Sequence, residues 1–264
     1  MLKITKKLIF GEKNVHLQDF GGREIRTFQK SDFLISGGRY RVTEALLGKI
    51  SGKLLIEINV PIEVEVTFEA QINANVKGAK AHANAPGAEA HANARGAEAH
   101  ADANGAEAYA NVEGAKAHAN VDGAEAHANA PGAEAHANAP GAIARAHEEW
   151  AIAYADAPGA EAHGHEKWAI AHANAPGAEA HANVKDAIAH ANAKGAEAYA
   201  TAPEAEARAT VPEAKAYADV KGAIARATAP RAEAHANAPG AEAHADVEGA
   251  KAYANARALA IPLS

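Results

Sequence analysis

The chain has 264 residues, no cysteine, 2 Trp, 5 Phe, 6 Tyr and 1 Met, and most of its 48% apolar content is alanine. Disulfides and thiolate metal sites are therefore excluded, and any core in the alanine-rich part must be thin. A formal net charge of -7 provides no basic field for a nucleic acid and no polybasic patch for anionic lipid, so neither partner is expected.

The first ten residues hold only the short apolar run Leu8-Ile9-Phe10 before Gly11, too little for the core of a Sec signal peptide. No stretch approaches the ~20 apolar residues of a membrane span, so membrane insertion is not expected. Residues 1–68 read as a β-rich cap or docking domain. They contain all five phenylalanines and the glycine turns Gly21-Gly22 and Gly37-Gly38. Alternation predicts short strands at Leu2–Ile4, Val15–Leu17, Ile25–Thr27 and Phe33–Ile35, and Thr43–Leu47 predicts one helical turn. Ile56 to Val66 alternates strongly, with Pro61 marking an edge or a bend.

From Glu69 to Arg257 the chain is 21 consecutive nonapeptides of the type GAEAHANAP, without insertion or deletion. Positions 2, 4, 6 and 8 are alanine, occasionally valine. Positions 3, 5 and 7 carry Glu/Lys, His/Tyr and Asn/Asp/Thr. This period of two predicts a strand with one buried face. Alanine favours helix, but proline or glycine at nearly every repeat boundary would break a helix after about two turns and suits a corner between strands.

The exceptions recur at eighteen residues. Glycine is replaced at Trp150, Trp168, Asp186 and Glu204, and again at Glu213 and Arg231. Ile152, Ile170 and Ile188 keep the same interval, as do His147-Glu148 and His165-Glu166. Residues eighteen apart are thus expected to stack. The predicted fold is all-β: a flattened two-sheet parallel β-solenoid with 18 residues per coil and alanine faces meeting inside. At ~4.8 Å per rung the rod is on the order of 50 Å long. A silk-like antiparallel meander pairs the same residues, but an L-Pro-Gly hairpin has the wrong twist for it.

The surface carries the functional expectations. Trp150, Ile152, Trp168, Ile170 and Ile188 should form one outward apolar patch, a candidate lateral interface. The ends of a solenoid expose strand edges, so Ile56, Ile58 and Val60 at one end and Leu259, Ile261 and Leu263 at the other are candidates for head-to-tail docking. The tail 258–264 has an alternative role, folding over its own end. Stacked histidines such as His82, His100, His118 and His136 are predicted as adjacent rungs, more readily a solvated stripe than a set of metal ligands. At His147-Glu148 and His165-Glu166 glutamate takes a normally inward position. Either the corner bulges to release these carboxylates or the four residues hold an ion.

The nine-residue spacing is shared with calcium-binding β-rolls, but their GGxGxD pattern is absent. No GxSxG, P-loop, Rossmann or HExxH motif is present, and a solenoid without loop insertions has little from which to build a pocket. The expectation is a non-enzymatic structural protein that needs no cofactor and whose partner is itself, as a self-assembling fibre or filament subunit. An adhesive or receptor-binding fibre shaft is the alternative, and a metal- or surface-binding histidine ladder a weaker one. The compartment is left open, with an extracellular appendage or a virion as the natural setting.

Overall fold

A computed structural model of the chain describes residues 4–35, 37–48, 53–255 and 259–261. It is a two-sheet parallel β-solenoid of about 11 turns with 18 residues per coil. The N-terminal strands are β1 (Ile4–Phe10), β2 (Asn14–Asp19), β3 (Glu24–Gln29), β4 (Tyr40–Val42), β5 (Lys53–Ile58), β6 (Glu63–Val66) and β7 (Ala70–Ala74), with the helical turn α1 (Glu44–Leu47) after β4. The four-residue strands then run from β8 (Lys80–Ala83) to β27 (Lys251–Ala254), and β28 (Leu259–Ile261) is last.

Odd-numbered coil strands join β1, β2 and β3 in a 15-stranded sheet, and even-numbered ones join β4 in a 13-stranded sheet. Every repeat strand pairs in parallel with the strand eighteen residues away, as in Ala108↔Ala126 and His100↔His118. This direction rules out the antiparallel meander. Alanines such as Ala90, Ala108 and Ala126 are fully buried between the sheets. Facing strands come within 8 Å, Cα to Cα, nearer than the ~10 Å of sheets that interdigitate larger side chains.

The corner chemistry follows from one hydrogen bond. Ala88 N donates to Ala85 O at 3.1 Å across Pro86-Gly87, and Gly87 has φ 70°. Proline at the second turn position and a positive φ at the third define a type II β-turn, which explains why proline and glycine recur at the repeat boundaries. The corners are also tied coil to coil, Gly87 N donating to Gly105 O at 3.1 Å.

Parallel pairing continues N-terminally past Glu69, because β7 pairs with β5 and β5 with β1, while β8 pairs with β6 and β6 with β4. What changes there is the core. Leu54, Ile56, Ile58, Val64, Val66 and Ile72 are fully buried, so the interior narrows from leucine and isoleucine to alanine along the stack. The N-terminal ends of the two sheets are finished differently. β1, β2 and β3 form an antiparallel meander at the end of one sheet. On the other, Arg41 N donates to Phe33 O at 2.8 Å and Leu34 bridges Tyr40. Phe33–Ile35 is thus a turn and a bridge, and the strand predicted there does not form. Beneath it Phe10, Phe28 and Phe33 pack edge to face at 5.3 and 5.4 Å.

The C-terminal residues 259–261 add a strand instead of folding over the end. Leu259 pairs with Glu242 and Ile261 with His244, seventeen residues away instead of eighteen. That shift places Leu259 and Ile261 at outward positions.

Candidate functional site: two ring ladders and an apolar corner

Position 5 of the repeat projects a ring from most rungs, and the pairing of the strands brings those rings into register. On the 13-stranded sheet His82, His100, His118, His136, Tyr154, His172 and His190 stack in sequence, with centroids 4.3 to 5.1 Å apart. The series then passes to Arg208 and Arg226. On the 15-stranded sheet the stack begins at His91, Tyr109 and His127, and it ends at Tyr253.

Arg145 stands where the next ring of that second ladder belongs, and the stack bypasses it. His127 packs on His147 at 5.2 Å, His147 on His165 at 5.3 Å, and His165 on His163 at 5.6 Å, returning the ladder to position 5. Arg145 itself is paired with Glu125. The odd histidines at position 7 are therefore a detour of the ring stack. Sequence reading treats each position as a separate column and misses this, although the coincidence of Arg145 with His147 and His165 was its visible trace.

A second ladder holds the first in place. Asparagines at position 7 bond coil to coil, Asn93 donating to Asn75, Asn111 to Asn93 and Asn129 to Asn111 at 2.9 to 3.1 Å. The same amides reach the rings: Asn111 Nδ2 lies 3.2 Å from His91 Nδ1, and Asn192 Nδ2 3.0 Å from His172 Nδ1. With the amide donating, Nδ1 accepts and the ring proton sits on Nε2, which in His91 faces Glu89 at 3.4 Å. This network selects the neutral imidazole. Burial lowers the pKa of His91, His100 and His172, and takes His118 to about 3 with help from the neighbouring His100 and His136. Burial likewise takes His127, His165 and His190 to about 4, each assisted by neighbouring histidines and then by an arginine. Where aspartate replaces asparagine the polarity reverses, and His82 Nδ1 donates to Asp102 at 2.7 Å.

Metal-ligand geometry is placed differently from the sequence expectation. Glu148 and Glu166 are exposed, and their corners keep the standard turn, Ala151 N donating to Glu148 O at 3.1 Å and Ala169 N to Glu166 O at 3.0 Å. The carboxylates reach solvent with no bulge. Among the described residues, donor atoms of His82, His100 and Asp102, and of Glu98, His100 and His118, lie within 4.8 Å of one another. The His82 and His100 rings are nearly parallel, 6° between planes, so their in-plane lone pairs do not converge on one point. An ion there would have to rotate a ring out of the stack.

The apolar patch does assemble. Ile152, Ile170 and Ile188 are half-buried and in register on adjacent rungs of the 13-stranded sheet. At the corner beside them Trp150 and Trp168 stack at 5.6 Å, 58% and 39% exposed. Both occupy the third turn position with φ 63° and 62°, a left-handed conformation costing about 1–2 kcal/mol for a residue with a Cβ. Asp186, Glu204, Glu213 and Arg231 share that conformation.

The end-to-end candidates divide. Ile56 and Ile58 are fully buried and Val60 is 8% exposed, because β5 is paired on both sides by β1 and β7. They are core residues and not available to a docking partner. Leu259 and Ile261 are 50% and 40% exposed, whereas Leu263 lies outside the described residues. At this end Ala254 is exposed, although its counterparts Ala236 and Ala218 are sealed. Compared with protein-family models, curated proteins and solved structures, the chain matches none.

Proposed function

We propose that this protein is a non-enzymatic structural rod that associates with copies of itself, chiefly side to side through the Trp150, Trp168, Ile152, Ile170 and Ile188 strip. A β-solenoid repeat is consistent with a structural or fibre-like role. The observation that carries the lateral reading is the strip itself. Two exposed indoles are held in a costly backbone conformation beside an isoleucine ladder, and on the same sheet the third position is otherwise largely charged. Backbone strain kept at an exposed apolar position points to use of that position. End-to-end contact is the second part of the reading, supported by exposed Tyr253, Leu259 and Ile261 on the last rungs.

Sedimentation and electron microscopy of the purified chain test both parts. Assembly that grows with concentration and is lost in a Trp168→Ser/Ile170→Lys variant is the expected result. Discrete monomers at every concentration reject it.

A further inference from the structure

The rungs around the strip fix how two copies can meet. On the outward third position of the 13-stranded sheet the order along the rod is Lys80, Glu98, Lys116, Glu134, then Ile152, Ile170, Ile188, then Glu206, Ile224 and Glu242. Two face-to-face arrangements have two-fold symmetry, the usual symmetry of a homodimer. In one the rods run parallel and the strands are reversed. Each rung then faces the same rung of its partner, so with Ile152 set on Ile152, Lys116 faces Lys116 and Glu206 faces Glu206. In the other the rods run antiparallel, strands keep their direction, and every position faces its own kind.

We infer that the strip binds a second copy of this chain with the rods antiparallel, about a two-fold axis between the Ile152 and Ile170 rungs. This rests on the lateral reading above. Reversal about that axis sets Trp150 against Trp168 of the second copy and Ile152 against Ile170, so the centre of the strip covers itself. Of the four outer pairs of rungs, two set opposite charges together, and the other two set Glu134 against Ile188 and Glu98 against Ile224. Lys116 lies five half-steps before the axis and Glu206 five after it, so they face each other, and Lys80 faces Glu242 in the same way. Arg208 then meets His118, which burial keeps neutral, and not another cation. Opposite charges meeting across an interface fix register and exclude wrong pairings, which is what a surface repeating every rung needs if it is not to slip.

The absence of native cysteine makes the register directly readable. Full-length Lys116→Cys and Glu206→Cys variants are treated with a short bis-maleimide, singly and as an equimolar mixture, alongside sedimentation. Covalent dimers from the mixture, little from either variant alone, and loss of the product when Ile170→Lys is added are expected. Self-linking of each variant alone means parallel rods and overturns the inference while leaving lateral association standing. Dimers in sedimentation with no cross-link in any combination also overturn it, since the register is then different. Monomers throughout overturn both this inference and the function it rests on.

Discussion

The N-terminal coils and the alanine repeats are built on one hydrogen-bonded stack but stabilise it differently. Around β5 and β6 the interior is filled by Leu54, Ile56, Ile58 and Val64, side chains large enough to carry the packing themselves. From β8 onward nearly every interior strand position contributes a single methyl group, and the sheets close to suit. Little area is buried per residue there, so the load passes to backbone hydrogen bonds on both edges of every strand and to the Asn and ring ladders outside. Size of side chain and closeness of sheets are alternative ways to exclude water, and the chain passes from one to the other within about two coils.

The sharpest way to break that comparison is to exchange the solutions. Ala126→Leu forces a branched side chain between sheets with no room to interdigitate, and a loss above the usual ~1–3 kcal/mol of overpacking is expected. Ile56→Leu, a volume-conserving change in the roomier coils, should cost less than about 1.5 kcal/mol. Denaturant unfolding of the two variants checks the ordering, and equal losses contradict it.

Acid separates the regions next. His118, His127, His165 and His190 are depressed to about 3 or 4 in the folded chain, while unfolded histidine titrates near 6.5. Between these values the unfolded chain binds the extra protons, so stability is fully present above about pH 6.5 and declines as pH falls toward 3. Each unit of depression is worth about 1.4 kcal/mol at most. Hydrogen exchange along the pH series should show the repeat coils opening before β1, β2 and β5. Simultaneous opening would show that the ladders are not the acid-sensitive part.

Smaller effects probe the irregular corner. Trp150→Gly removes left-handed strain, so the isolated rod should gain about 1 kcal/mol while self-association weakens. A thermal melt at low concentration and sedimentation at high concentration separate the two. Gly164→Ala restores the repeat, and a Cβ there would sit at ordinary contact, 3.5 Å from that of Ala169. A gain of about 0.4–1 kcal/mol is expected, and any loss would mean that the glycine is needed by the backbone.

Much of this was legible in the chain itself. Period two within a repeat gave the strand, and the eighteen-residue interval between Trp150, Trp168 and Asp186 gave the coil, because a substitution that alters a surface must be matched on the neighbouring rung. What escaped depends on neighbours distant in sequence. Ile56 and Ile58 alternate as an edge strand would, and only the pairing of β5 with β1, some fifty residues earlier, makes them interior. The ring detour escaped because it links position 5 of one coil to position 7 of the next. The type II corner was half visible in Pro-Gly, but the six bulky or charged residues that share its positive φ mask the rule.

The direction of the hydrogen bonds has a mechanical consequence. They run along the rod, so tension applied between its ends loads every coil-to-coil junction with the same force, one after another like links of a chain. Adding coils lengthens such a rod without strengthening it, and rupture is set by whichever junction is weakest. Regularity is then more than economy of sequence: a shaft whose links are alike has no preferred place to break.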